Sequence, residues 1–249
     1  MYIADTNNDV IERVTPAGIL SIVAGTGQEG PPTPGPATSS DLSIPCGVAV
    51  DPHTGDLYIA DSNNMEVEQV TPTGNLSIVA GTGRQGAPTA GAATRSRLYL
   101  PLGVAVDPRT GDLYIADTDN DVIEQVSRAD ILSIVAGKGR QGRPTPGPAI
   151  RSKLDQPTGV AVNPRTGDLY IADNAANQIE QVSPAGILSI IAGTGRHGPP
   201  TPGPATSSEL FRPAGVAVDP DTDALYIADT DNEVIERVGD ATRLGPARR

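Results

Sequence analysis

Short apolar runs alternate with polar breaks along this chain, at a spacing too tight for long helices. Residues 103–136 show the pattern. Gly103-Val104-Ala105-Val106 is an apolar run, and Asp107-Pro108-Arg109-Thr110-Gly111-Asp112 breaks it. Pro108 presets φ and Gly111 admits a positive φ, so the break reads as a tight reversal. Leu113–Ala116, Val122–Val126 and Leu132–Ala136 follow as further runs, the first two joined by the polar hairpin Asp117–Asp121. Runs this short and this rich in Val, Ile and Leu predict four β-strands. Gly137–Pro157 then makes a long Gly/Pro-rich connection to the next unit.

The whole pattern recurs. Tyr2, Tyr58, Tyr114, Tyr170 and Tyr226 are 56 residues apart each time. Gly-Val-Ala-Val recurs at Gly47, Gly103, Gly159 and Gly215, and Leu-Ser-Ile at Leu20, Leu76, Leu132 and Leu188, with the same step. Four short antiparallel strands in a fixed-length unit predict a β-propeller blade. A sandwich needs no strict period, and solenoid repeats are shorter, roughly 20–45 residues. With strands named A to D outward from the channel, the chain holds a partial blade over 1–24, full strand sets over 47–80, 103–136 and 159–192, and a partial blade over 215–238. Residues 239–249 read as a basic C-terminal tail. The expectation is an all-β propeller of four to five blades, incomplete at both termini.

The order G-V-A-V-D, G-D-L-Y-I-A-D, an Asn/Asp turn, V-I-E-Q-V and L-S-I-V-A-G-x-G resembles the NHL-repeat family of β-propellers. The connections resemble those of bacterial members, through Gly35-Pro36-Ala37-Thr38 and Gly203-Pro204-Ala205-Thr206. The resemblance covers residues 1–238. It implies a binding platform, for protein or RNA in known members. A related group are lyases or hydrolases with a metal in the central channel, and closed rings usually have six blades. It also favours an extracellular or secreted setting, although no basic-then-apolar leader precedes Tyr2.

Composition narrows the partners. One Phe, six Tyr and no Trp leave Val, Ile, Leu and Ala to build the core. The formal net charge of −12 disfavours nucleic acid and anionic membranes, which call for clustered Lys and Arg. Cys46 is the only cysteine, so no internal disulfide framework exists.

Candidate chemistry is sparse. His53 and His197 lie in loops at positions not shared between units, and read as solvated rather than as ligands. Asp51, Asp107, Asn163 and Asp219 end the innermost strand. They make Asp51, Asp107 and Asp219 weak metal candidates at one mouth of the channel. The stronger reading is that each caps its own turn. Asp117–Asp121 looks like a calcium loop but lacks the Gly at position six and the Glu at position twelve. No nucleophile triad or phosphate loop is present, so neither an enzyme nor a cofactor is expected.

Charge is uneven. Arg84, Arg95 and Arg97 in one connection, and Lys138, Arg140, Arg143, Arg151 and Lys153 in the next, form basic loops. The hairpins read as acidic, through Asp61, Glu66 and Glu68 and through Asp117, Asp119, Asp121 and Glu124. Acidic hairpins and basic loops are expected to alternate around one face, either salt-bridged to each other or open for docking. Pro-Thr-Pro-Gly-Pro, at 32–36, 144–148 and 200–204, makes the connections stiff.

The strand inventory is unbalanced, with one A and one D unmatched. Unpaired edges are adhesive. The leading expectation is a non-enzymatic structural propeller that self-associates through its terminal blades, up to a filament, across a seam of Tyr2, Ile3, Ala4, Val216, Ala217, Val218, Ile235 and Val238. The alternatives are a monomeric scaffold whose long-loop face binds protein or carbohydrate, and a fragment of a six-bladed protein or of a channel-site lyase or hydrolase.

Overall fold

Each 56-residue unit folds as one antiparallel sheet. The structure, a computed structural model, describes residues 1–239. Blade one holds Tyr2–Asp5, Val10–Val14 and Leu20–Ala24. Blade two holds Pro45–Val50, Leu57–Asp61, Glu66–Val70 and Asn75–Gly81. Blade three holds Pro101–Val106, Leu113–Asp117, Val122–Val126 and Ile131–Ala136. Blade four holds Pro157–Val162, Leu169–Asp173, Gln178–Val182 and Ile187–Ala192. Blade five holds Pro213–Val218, Leu225–Asp229 and Val234–Val238. The fold is an all-β propeller of five blades, and its only helical turns among the described residues are short 3-10 turns. The expected basic tail, but for Gly239, lies outside the described residues.

The blades carry a strand that the apolar pattern does not reveal. Gly35–Pro36, Gly91–Ala92 and Gly147–Pro148 add a fifth strand to the outer edges of blades two, three and four. Each long connection thus lays two residues along the D strand of the blade that follows it. A repeated hydrogen bond holds the connection in shape. Ser40, Ser96, Ser152 and Ser208 Oγ accept the backbone N–H of Thr33, Thr89, Thr145 and Thr201 at 2.8–2.9 Å. Beneath it, Leu42, Leu98, Leu154 and Leu210 are fully buried.

The hairpin between strands B and C closes on a residue in the left-handed region: Asp9, Met65, Asp121, Asn177 and Glu233, with φ of 53–59°. Asp and Asn tolerate this conformation. The side chain then reaches the following blade. Asp9 Oδ1 accepts the Ile44 N–H at 2.8 Å, Asp121 Oδ1 that of Gln156 at 3.0 Å, and Asn177 Oδ1 that of Arg212 at 2.9 Å. Met65 offers only its sulfur to Leu100, at 3.5 Å.

The described residues form two compact units, Met1–Asn120 with Glu124–Ile134, and Asp121–Ile123 with Val135 onward. In the first, Ile11, Leu42, Ile59, Val70 and Leu76 pack between blades one and two, and Val67, Leu98, Ile115 and Leu132 between blades two and three. In the second, Tyr170, Ile179, Leu210 and Ile227 pack between blades four and five. Neighbouring A strands meet at glycine. A Cβ on Gly47 would stand 2.4 Å from the Leu102 carbonyl oxygen, and one on Gly159 2.6 Å from that of Ala214.

Candidate functional site

The expected acidic loop face does not form. Asp61, Glu66, Glu68, Asp117 and Glu124 are buried. The Asp that ends strand B is a hub: Asp61, Asp117, Asp173 and Asp229 Oδ1 accept the backbone N–H of Ser43, Tyr99, Asp155 and Phe211 at 2.7–2.8 Å. In blades two, three and five the other oxygen takes Nδ2 of Asn64, Asn120 or Asn232 at 2.6–2.7 Å. Against this hub sits the Glu of strand C. Glu68, Glu124 and Glu180 are fully buried, and neither carboxyl oxygen of any of them has a donor.

Burial pushes these acids up. Asp61 and Asp117 rise to about 7, first through desolvation, against the pull of their hydrogen bonds. Glu68, Glu124 and Glu180 rise well above the usual carboxylate range, by desolvation and then by the neighbouring Asp. Glu236 rises to about 7 by desolvation and its contact with Asp229. Side-chain hydrogen bonds join Glu124 to Asp117 and Glu236 to Asp229, while Glu68 and Glu180 feel Asp61 and Asp173 only through charge, so burial and like charge together weaken the acidity of each pair. The signal in the sequence was the return of this Asp and this Glu in every copy.

The weak metal candidates are engaged by their own turns. Asp51 Oδ1 accepts the His53 N–H at 2.8 Å, Asp107 Oδ1 that of Arg109 at 2.8 Å, and Asp219 Oδ1 those of Asp221 and Thr222 at 2.9 and 3.2 Å. Burial alone would raise Asp107, but its hydrogen bonds and its 2.9 Å ion pair with Arg109 leave it lowered. Asp219 is lowered mainly by its hydrogen bond to Thr222. His53 Nδ1 lies 3.6 Å from Asp51, and the His197 ring lies 5.3 Å from that of Phe211. No three potential metal ligands cluster among the described residues.

Arg84, Arg95, Arg97, Lys138, Arg140, Arg143 and Arg151 stand exposed, and Lys153 is half-buried. None of the eight forms an ion pair among the described residues. Arg143 donates to the Gly195 carbonyl instead. The expected seam residues divide. Tyr2 and Ala4 are half-buried against the core of the first unit, and Val216, Val218 and Val238 against that of the second. Ala217 is exposed, Ile3 is half-buried, and Ile235 is 69% exposed.

Blade five shows three strands among the described residues. Among the described residues, nothing pairs with the far side of Val234–Val238. A groove of about 440 Å³ runs there, walled by Pro200–Ala205 and Ser208 on one side and by Glu236–Gly239 on the other. Blade one is bare in a different way. Among the described residues Leu20–Ala24 has no fifth strand outside it, and Ile19, Leu20 and Ile22 are each about half exposed or more.

A family model described as the teneurin NHL domain matches residues 1–248. The chain belongs to the teneurin NHL domain family. The NHL resemblance is therefore correct. Mouse Teneurin-3 is 28% identical over 272 residues, covering 98% of this chain and 10% of that protein. The chain thus spans about a tenth of the length of such relatives. Among solved structures, an auxiliary nutrient binding protein from Bacteroides thetaiotaomicron VPI-5482 superposes with a TM-score of 0.68 at 16% identity, over 94% of this chain and 54% of that one. Virginiamycin B lyase from Staphylococcus aureus reaches 0.55 at 16% identity, over 96% and 65%. Identities this low show the fold alone. As a teneurin-type NHL propeller, the chain presents loops and sheet edges consistent with an interaction scaffold.

Proposed function

We propose that this chain is a non-enzymatic interaction propeller that recruits polypeptide at the open edges of its outer blades, foremost a second copy of itself. The observation that carries this reading is the outer edge of Val234–Val238, unpaired among the described residues, beside its groove. A row of free N–H and C=O groups is a template for another strand. The exposed Leu20 and Ile22 of blade one support the same reading. Contacts between two different edges are head-to-tail, and where they do not close into a ring they propagate as a filament. Size-exclusion chromatography with light scattering tests it. Species heavier than the 25.5 kDa chain, growing with concentration, are expected; a single 25.5 kDa species at every concentration contradicts it.

The unpaired loop cations favour a second reading, a face that docks an acidic protein segment or an anionic carbohydrate. On that reading, replacing Arg140, Arg143 and Arg151 by Ala abolishes binding to an acidic ligand such as heparin and leaves the unfolding transition unchanged. Unchanged retention on heparin rules it out.

A further inference from the structure

One unit departs from the others at the turn between strands C and D. The turn reads Thr15-Pro16-Ala17-Gly18, Thr71-Pro72-Thr73-Gly74 and Ser183-Pro184-Ala185-Gly186 in three copies, but Ser127-Arg128-Ala129-Asp130 in blade three. Asp130 takes a left-handed φ of 58° where the glycines stand at 74–83°, a conformation that glycine adopts freely and Asp only tolerates. Backbone geometry therefore explains neither change. Both new side chains line a cavity of about 230 Å³ within the first compact unit, between the A–B turn of blade two and the C–D turn of blade three. We infer that this cavity is a binding site for one neutral sugar ring, held by Asp56, Tyr58, Arg128 and Asp130.

The polar groups of the cavity are held in place by the protein itself. The Arg128 guanidinium lies on Gly111, where a Cβ would stand 2.1 Å from Nη2, and its Nε donates to the Thr110 carbonyl. Nη2 then comes within 3.6 Å of Oδ2 of the buried Asp51, in blade two. Asp51 Oδ1 is taken by the His53 N–H at 2.8 Å. The Gln69 amide donates to Asp56 Oδ2 at 2.8 Å and fixes that carboxylate. Asp56 Oδ1, the Asp130 carboxylate and the Tyr58 hydroxyl have no hydrogen-bond partner among the described residues, and all three residues line the cavity. Burial first, then the charges of Asp56 and Asp51, push the Tyr58 hydroxyl up, so it keeps its proton as a donor. Leu113, Val126 and Val79 make the apolar part of the wall.

Charge and hydrogen bonding together select the ligand. The carboxylates of Asp51, Asp56 and Asp130 share the cavity with one guanidinium, so an anion is repelled. An ammonium has donors only, and would leave Arg128 and Tyr58 without an acceptor. A sugar both donates and accepts. Its hydroxyls give to Asp56 and Asp130 and take from Tyr58 and Arg128, while its C–H groups cover the apolar wall. The hollow between blades one and two gives the contrast. Its volume is similar, about 270 Å³, yet Pro72 and Gly74 stand at the corresponding places and no carboxylate lines it. The repeat alone does not make such a site.

The test titrates the full chain with D-glucose, D-galactose, D-mannose and N-acetyl-D-glucosamine, read by saturation-transfer NMR and calorimetry. At least one should bind saturably, with a Kd on the order of 1–10 mM. Arg128→Pro combined with Asp130→Gly rewrites the turn as it stands at 183–186, so the unfolding transition should stay in place while binding weakens about tenfold or more. Tyr58→Phe should weaken it about three- to tenfold, the loss of one hydrogen bond. No saturable binding of any of the four sugars overturns the inference, as does equal binding by the turn variant. Tighter binding of putrescine or of inorganic phosphate than of any sugar also overturns it, because charge alone would then make the site. Methyl glycosides separate the two sources of such a ring. Retained binding marks the end of a glycan chain and lost binding a free sugar, and either agrees with the site. The result is independent of whether the chain self-associates.

Discussion

Raising the pH from about 5 to about 9 is expected to cost the folded chain several kcal/mol of stability. Most proteins gain from ionised carboxylates; this one buries carboxyls whose pKa burial raises. Glu68, Glu124 and Glu180 lie against Asp61, Asp117 and Asp173, and the other charged groups that act on them are acidic too: Glu66 and Asp9 on the pair of blade two, Asp119 on that of blade three, Asp155 and Asp121 on that of blade four. Their folded pKa lies above the unfolded value. The folded state therefore binds more protons, and the stabilisation is complete below about pH 4 and lost as the pH rises through 7 and beyond. An Asp raised to about 7 is roughly a thousandfold weaker acid than in the unfolded chain, on the order of 4 kcal/mol for one pair forced to ionise. Asp107, Asp219 and Asp223 are lowered, and their opposite contribution falls below pH 4, outside this window. Urea unfolding at the two pH values measures the effect. Glu124→Gln keeps a donor for Asp117 and cannot ionise, so it should be near neutral at pH 5 and stabilise by about 1–3 kcal/mol at pH 9. Equal loss at both pH values would show that Glu124 serves only to pack.

Gly81→Ala is expected to destabilise the chain by about 3 kcal/mol or more, while Gly74→Ala costs only about 1 kcal/mol. Both glycines have positive φ, 96° and 83°. They differ in surroundings. A Cβ on Gly74 meets nothing within 4 Å, whereas one on Gly81 lies 2.3 Å from the Met65 carbonyl oxygen and 2.8 Å from the Glu66 Cα. The first change meets only the left-handed strain of an alanine. The second must also push strand D off the hairpin of its own blade. Thermal or urea unfolding of the two variants checks the ranking, and equal costs would mean that the close approach is not rigid.

The blade was readable because period and apolar runs survive in every copy. Strand A nonetheless begins at Pro45, Pro101, Pro157 and Pro213, ahead of the Gly-Val-Ala-Val run, and strand B runs through the Asp to which the polar hairpin had been assigned. The two-residue fifth strand was hidden. Gly35–Pro36 is too short to show an apolar alternation, and its partner Leu76 lies 41 residues further on. Burial of the acids was hidden for a different reason. Asp61 and Glu68 look like hairpin charges, and only the covering loop, stapled by Ser40 and Leu42, takes such residues out of water. The open groove could be inferred as a missing strand, but not as a preformed slot. That depended on the shape Pro200–Ala205 takes opposite Glu236–Gly239.

Hydrogen–deuterium exchange of Val234–Val238 across a concentration series tests most directly whether polypeptide adds at the outer edge of blade five. Exchange there should slow as concentration rises, in step with particle mass, while the paired strand Val122–Val126 stays unchanged. Exchange at Val234–Val238 that is fast and independent of concentration, in a chain that remains at 25.5 kDa, would contradict it.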